Sequence, residues 1–168
     1  MTLAGQRLQP DRYQIVPRTL SFLIDGDQVL LLRLSQSRAA WAGKLNGLGG
    51  HIERGENPAV SARRELVEET GLTPQDLRLC GVVTIDTQQA IGIGLYVFVG
   101  TATGRPQGGG KEGEPMWCDL DGLDPDEVVE DLPALLPRAL AVYHQQAAPF
   151  CAVYRYGADD RLEIEWAS

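Results

Sequence analysis

"GGHIERGENPAVSARRELVEETGL", residues 49–72, places Glu65, Glu68 and Glu69 beside Arg63 and Arg64 and encloses them between glycines. The punctuation is that of a helix. Asn57 can cap the free N–H groups of a first turn, Pro58 suits the first helical position, and Gly71 suits the left-handed residue that ends a helix. The spacing therefore predicts a helix over Pro58–Thr70, with Ala59, Ala62, Leu66 and Val67 as its core-facing stripe and the glutamates on another face. Glu65 lies three residues from Glu68 and four from Glu69, which brings Cβ atoms to about 5–6 Å on a helix. Like charges at that distance repel, so the segment calls for a positive partner.

Gly47, Gly49, Gly50 and Gly55 precede the helix and permit close backbone approach where a strand gives way to a loop. A carbonyl of Gly49 or Gly50 and the carboxylate of Glu56 can then converge on the glutamates. These are all hard oxygen ligands, which suit magnesium or manganese better than zinc, and magnesium commonly bridges carboxylates to a substrate phosphate.

Outward from this segment, "RTLSFLI" after Pro17 and "QVLLLRL" flank Asp25-Gly26-Asp27 and read as an antiparallel hairpin. "LRLCGVVTID" and "IGIGLYVFVG" read as two further strands, and "PMWCDL" as a short one. "DLPALLPRALAVYHQQ" reads as a second helix, and "FCAVYRYG" with "RLEIEW" as a terminal strand pair. "TGRPQGGGKEGE" is expected to be a mobile loop. Strands surrounding helices imply an α/β chain, with a polar extension over residues 1–12 and one domain over 13–168.

The 168 residues carry a formal charge of −8, and 43% are hydrophobic. No basic field exists to attract a long nucleic acid or an anionic membrane, whereas small phosphates stay accessible to an acidic chain that binds cations. Cys80, Cys118 and Cys151 show no paired spacing, so neither a disulfide framework nor a thiolate zinc site is expected, and they read as mostly core. The polar N-terminus and the lack of a membrane-length apolar run suggest a cytoplasmic protein.

Gly50, five residues, Glu56, seven residues, Arg64-Glu65-Leu66, one residue, Glu68-Glu69, one residue, Gly71-Leu72 resembles the full signature, or box, of the Nudix hydrolases. That resemblance implies an α/β/α sandwich with a mixed β-sheet and a Mg²⁺-using hydrolase of a nucleoside diphosphate linked to another group, with Mn²⁺ as a substitute metal. It also implies that Glu65, Glu68 and Glu69 are metal ligands, assisted by a Gly49 or Gly50 carbonyl. Glu56 would support the metal or orient water, and Arg64 would hold the carboxylates by ion pairing. The general base is one of the box glutamates or a loop residue, Glu112 or Glu114. Glu112 is favoured because "EGEPMW" resembles a family segment whose first glutamate reaches the metals.

Two other stretches bear on the substrate. "GKLNGLGGHIERGE" and "VVEDLPALLPRAL" resemble segments of the MutT-like and oxidised-purine triphosphatases of this family, which implies base contacts for Asn46, Glu130 and Asp131. The expected activity is cleavage of a nucleoside triphosphate to monophosphate and pyrophosphate, with oxidised purine nucleotides as substrates. Nucleotide sugars or dinucleoside polyphosphates are the enzymatic alternative, and a non-catalytic nucleotide-sensing domain is the alternative of another class. Trp41 and Trp117 can stack on a base or pack in the core. His51 and His144 are expected to have no catalytic part.

Overall fold

Gly26, at φ +57°, closes the two-residue connection between β1 (Gln14–Asp25) and β2 (Gln28–Leu34), the hairpin that the sequence predicts. The structure, a computed structural model, describes residues 11–108 and 110–167, so most of the expected polar extension lies outside the described residues. Gly109, inside the expected mobile loop, also lies outside them.

β1 begins at Gln14, ahead of Pro17, where the sequence alone places its start. Proline is tolerated there for a geometric reason. The N–H groups of Thr19 and Ser21 bond to Gly50 and Leu48, and this edge pairing ends where Ile52 donates to the Pro17 carbonyl, so the missing N–H of Pro17 costs no ladder bond.

The sheet runs in the order β3 (Leu45–Asn46), β2, β1, β5 (Ile91–Thr101), β4 (Gln75–Ile85), β7 (Phe150–Tyr156), β8 (Leu162–Trp166), and β6 (Gly113–Asp119) also pairs with β2. β1 with β5 and β4 with β7 are parallel, while the other ladders are antiparallel, so the sheet is mixed. Leu20 through Ile24 are all buried, which means that side chains on both faces of β1 are covered. Helix α1 (Pro58–Thr70) packs against β1, and α2 (Leu132–Tyr143) packs against β4 and β5. Phe22, Leu23, Leu30, Leu31, Leu66 and Leu135 are among the fully buried residues of the core.

The ends of α1 follow the sequence reading. Asn57 Oδ1 accepts from the Val60 N–H at 3.0 Å, and Gly71 takes φ +70° and donates to the Val67 carbonyl. Its buried face does not. Ala59 and Val67, expected in the core, are exposed, whereas Ser61, Ala62, Leu66 and Thr70 are buried. At about 100° per residue, Ser61 and Thr70 bound a half-turn arc that contains Glu65 and Glu69. The helix therefore does not separate packing from chemistry, because two of its glutamates project from the side that meets the sheet.

The cysteines divide by position. Cys80 is fully buried, Cys118 half-buried and Cys151 exposed, and all are free, so the expectation of three core cysteines holds for Cys80 only. Burial pushes the Cys80 thiol up to about 11. An aromatic disulfide reagent at pH 8 should modify Cys151 rapidly and Cys80 only after denaturant is added. Rapid native-state labelling of Cys80, read by peptide mass analysis, would contradict this packing.

Candidate functional site

β1 and β2 pair through Leu23–Asp25 and Gln28–Leu30 and then part. The segment before α1 fills the gap. Leu45 and Asn46 pair with Arg33 and Leu32 of β2, after which Leu48 and Gly50 hydrogen-bond to Ser21 and Thr19 of β1. Two glycines make this crossing possible. Gly49 has φ +143° and a Cβ there would strike the Thr19 carbonyl oxygen, and a Cβ on Gly50 would lie 2.5 Å from the Glu65 carboxylate. The chain thus passes directly between β1 and the glutamates of α1.

Arg64 organises one half of the cluster. Its Nε and Nη2 grip Glu56 Oε1 and Oε2 at 2.8 and 3.0 Å, a two-point fork, while Nη1 reaches Glu65 at 2.9 Å and Glu68 at 3.2 Å. Nη2 also donates to the His51 carbonyl and the Ser61 hydroxyl. The Arg64 hydrogen bond, helped by the Glu53 N–H, holds the Glu56 carboxyl down at about 2. The Glu56 and Glu65 side chains are only 12% and 16% exposed, against 59% for Glu68.

Glu69 is held differently. Its Oε2 accepts from the Gly49 N–H at 2.8 Å, and its Oε1 is buried with no hydrogen-bond partner. Burial pushes its carboxyl up to about 8; the Gly49 N–H opposes that rise, and Glu112 and Glu65 reinforce it by repulsion. Glu112 reaches the site from the segment ahead of β6, where Arg38 holds it at 2.7 Å. Glu114 lies on β6 and is exposed.

These residues do not close around a common point. Among the described residues no three acidic, histidine or cysteine side chains are gathered as a ready cation site, because Arg64 draws Glu56, Glu65 and Glu68 toward itself. Of the two glycine carbonyls, that of Gly50 is taken by the Thr19 N–H, and that of Gly49 accepts from no backbone donor among the described residues. A buried carboxylate oxygen without a donor, near enough to Glu65 and Glu112 to feel their repulsion, has the character of a ligand for a hard divalent cation.

A cleft of about 240 Å³ opens beside the glycines. Gly49, Gly50, Glu112, Arg38 and Trp41 line it together with Asn46, Glu130 and Asp131, so the base-contact residues expected from the sequence share a cavity with the box. Backbone pairing explains this: Leu45 exchanges hydrogen bonds with Glu127 and Val129, which fixes the segment ahead of Glu130 beside Asn46. Asn46 Oδ1 accepts from the Gly47 N–H at 2.7 Å, leaving its amide NH₂ as the free end. Asp131 occupies the N-cap of α2 without making a side-chain cap. Burial raises its carboxyl, and neighbouring Glu130 adds to the rise.

Among the cleft residues that sequence reading did not single out are Arg18, Arg38, Tyr154 and Tyr156. Burial raises both phenols, with Asp131 adding to the rise of Tyr154 and Glu130 to that of Tyr156, which is pushed up to about 12. The Tyr154 hydroxyl is buried beside the Asp131 carboxyl, close enough for the two to influence each other but outside good hydrogen-bond geometry, and it meets no other partner among the described residues. The available signal was alternation, since Tyr154 and Tyr156 are two apart on one strand and therefore share a face. Trp117 lies outside the cleft, its indole N–H bonded to the Gly104 carbonyl at 2.9 Å, and His144 caps the C-terminus of α2.

Comparison with known proteins agrees with this architecture. A family model described as the NUDIX domain matches residues 15–139. Over 106 residues, 62% of this chain and 67% of the other, the chain is 32% identical to an oxidized purine nucleoside triphosphate hydrolase of Danio rerio. It is 38% identical over 90 residues, 53% of this chain and 68% of the other, to the 8-oxo-dGTP diphosphatase of Escherichia coli (strain K12). Among solved structures, a MutT protein from Bacillus halodurans superposes with a TM-score of 0.70 at 24% identity, covering 90% of this chain and 97% of that one. With the glutamate helix, its glycine-lined entry and the mixed sheet all in place, the chain belongs to the Nudix hydrolase family.

Proposed function

We propose that this chain is a Mg²⁺-dependent pyrophosphohydrolase that converts purine nucleoside triphosphates, oxidised ones in particular, to nucleoside monophosphate and pyrophosphate. The observation that carries this reading is the continuity of one cleft from Gly49, Gly50 and Glu112 to Asn46, Glu130 and Asp131. A nucleotide can present phosphates at the first end and its base at the second. The names of the relatives in Danio rerio and Escherichia coli support the same substrate class.

The residues fit a hard divalent cation. Glu65, Glu68, Glu69 and Glu112 would hold it, with the Gly49 carbonyl assisting. When bound, such an ion neutralises phosphate charge and lowers the pKa of water. The chain's own groups do the rest by position. Arg64 fixes Glu56 and Glu65, and the Gly49 N–H fixes one oxygen of Glu69 while leaving the other free. Hydrolysis adds water across a phosphoanhydride, breaking one P–O bond and passing a proton from the attacking oxygen to a carboxylate, for which Glu68, Glu69 and Glu112 are available.

The test is product analysis over 8-oxo-dGTP, ordinary triphosphates, nucleotide sugars and dinucleoside polyphosphates, each with Mg²⁺ and with Mn²⁺. Pyrophosphate release from triphosphates, with highest kcat/KM for an oxidised purine, is the expected result. Turnover confined to nucleotide sugars, or binding of triphosphates without turnover, would overturn it.

A further inference from the structure

Among the described residues Arg18 is a cation without a side-chain partner. Its side chain lines the cleft, its Nε is buried with no hydrogen bond, and it forms no ion pair with any carboxylate among the described residues. Guanidinium stays charged at all accessible pH and carries donors only. Leaving such a group half-buried and unpaired is unfavourable, so an acceptor arriving with the ligand would be strongly rewarded.

Its surroundings say what sort of acceptor. On β1 and the adjacent β5, the cleft floor around Arg18 is formed by Leu20, Ile93 and Leu95, apolar side chains suited to the face of a planar ring. The phosphate end is occupied by another arginine, Arg38, which pairs with Glu112. In the same cleft Glu130 and Asp131 bring carboxylates, beside Tyr156 and Tyr154 respectively, and Asn46 has its carbonyl oxygen tied to Gly47. Arg18 is bridged through its backbone to His51, beside Gly50, so its guanidinium starts between the glycines and the acidic pair. The cleft therefore presents donors from Arg18 and Asn46 and acceptors from the acidic pair.

We infer that Arg18 is a specificity-determining residue that donates to the 6-oxo group of a bound purine, selecting guanine- and hypoxanthine-type nucleotides over 6-amino purines. A guanine-type base carries an acceptor, O6, next to ring and exocyclic N–H donors, which complements a guanidinium beside carboxylates. Adenine turns an amino donor toward a group that can only donate. This inference rests on the nucleotide reading given above and adds the chemistry of the base.

Two measurements test it on the full chain. Calorimetric binding of GMP, IMP and AMP should show the 6-oxo nucleotides bound roughly 10- to 100-fold more tightly than AMP, the range expected for one hydrogen bond to a charged group. In Arg18→Met, which keeps most of the stem, that ratio should fall to within about twofold through weaker GMP and IMP binding, with AMP little changed. Equal weakening of all three would mean that Arg18 contacts phosphate, and an unchanged ratio would mean that it contacts nothing on the base; either overturns the inference. So does wild-type protein that binds AMP as tightly as GMP, a result that needs no variant. Failure of the hydrolase reading is distinguishable, since it would appear as no pyrophosphate released from any triphosphate while the binding preference persists.

Discussion

Glu69→Gln should lower kcat by about three orders of magnitude or more while leaving the fold intact. The argument begins with burial. Glu69 is the box carboxylate that the fold has drawn inward, with one oxygen held by the Gly49 N–H and the other without a donor. Glutamine preserves shape and the contact to Gly49 but cannot supply a negative charge to a cation. Losing several kcal/mol of charge stabilisation corresponds to a loss of that size, at about 1.4 kcal/mol per tenfold. Near-normal turnover in the variant would remove Glu69 from the metal site.

The same substitution makes a pH prediction. The Glu69 carboxyl sits at about 8 in the fold, above its ordinary value of 4.5. A raised acid contributes stability that is fully present below the unfolded value and is lost as pH rises through the folded one. Chelator-treated wild type should therefore lose melting temperature between about pH 5 and pH 8 relative to Glu69→Gln, in which this group no longer titrates. Added Mg²⁺ should raise the melting temperature of wild type and not of the variant. Parallel melting curves across that pH range would show that burial does not favour the protonated acid.

Local chemistry made much of this fold legible. Asn57, Pro58 and Gly71 each act within a few residues of themselves, so the helix bounds could be read directly from them. Asp25-Gly26-Asp27 announced its hairpin for the same reason. What could not be read was anything that depends on partners far along the chain. The helical arc shared by Glu65, Leu66 and Glu69 meets the sheet because residues 48–50 are laid along β1, a pairing for which the sequence carries no local mark. Apolar Ala59 and Val67 were misplaced by the assumption that charge faces away from the core.

The cleft shows the same division. Asn46, Glu130 and Asp131 were reached through family resemblance, and their proximity arises from backbone bonds between Leu45 and residues 127 and 129. Nothing local marks Arg18, a polar residue near the start of a strand, as a cleft residue. Here, the parallel register of β1 with β5 sets it level with Leu95 inside the cavity.

Adjacent Gly49 and Gly50 should respond to alanine in opposite ways, and the contrast separates folding from chemistry. At Gly49 the new Cβ meets backbone, the Thr19 carbonyl, and φ +143° is a conformation alanine avoids. Neither obstacle can move without shifting β1, so Gly49→Ala should lower stability by about 3 kcal/mol or more, combining backbone strain with overpacking. Gly50 has no such dihedral, and what its Cβ would meet first is the end of the Glu65 side chain, at 2.5 Å. That carboxylate can swing away at little cost to the fold, but it then leaves the position in which Arg64 holds it. Gly50→Ala should unfold within a few degrees of wild type and yet lose about 100-fold or more in kcat, the scale on which small misplacements of a site are felt. Chemical denaturation and steady-state assays on the two variants provide the check. If Gly50→Ala kept full activity, the position of Glu65 beside the glycine would have no bearing on the reaction, and the crossing of residues 48–50 would serve packing alone.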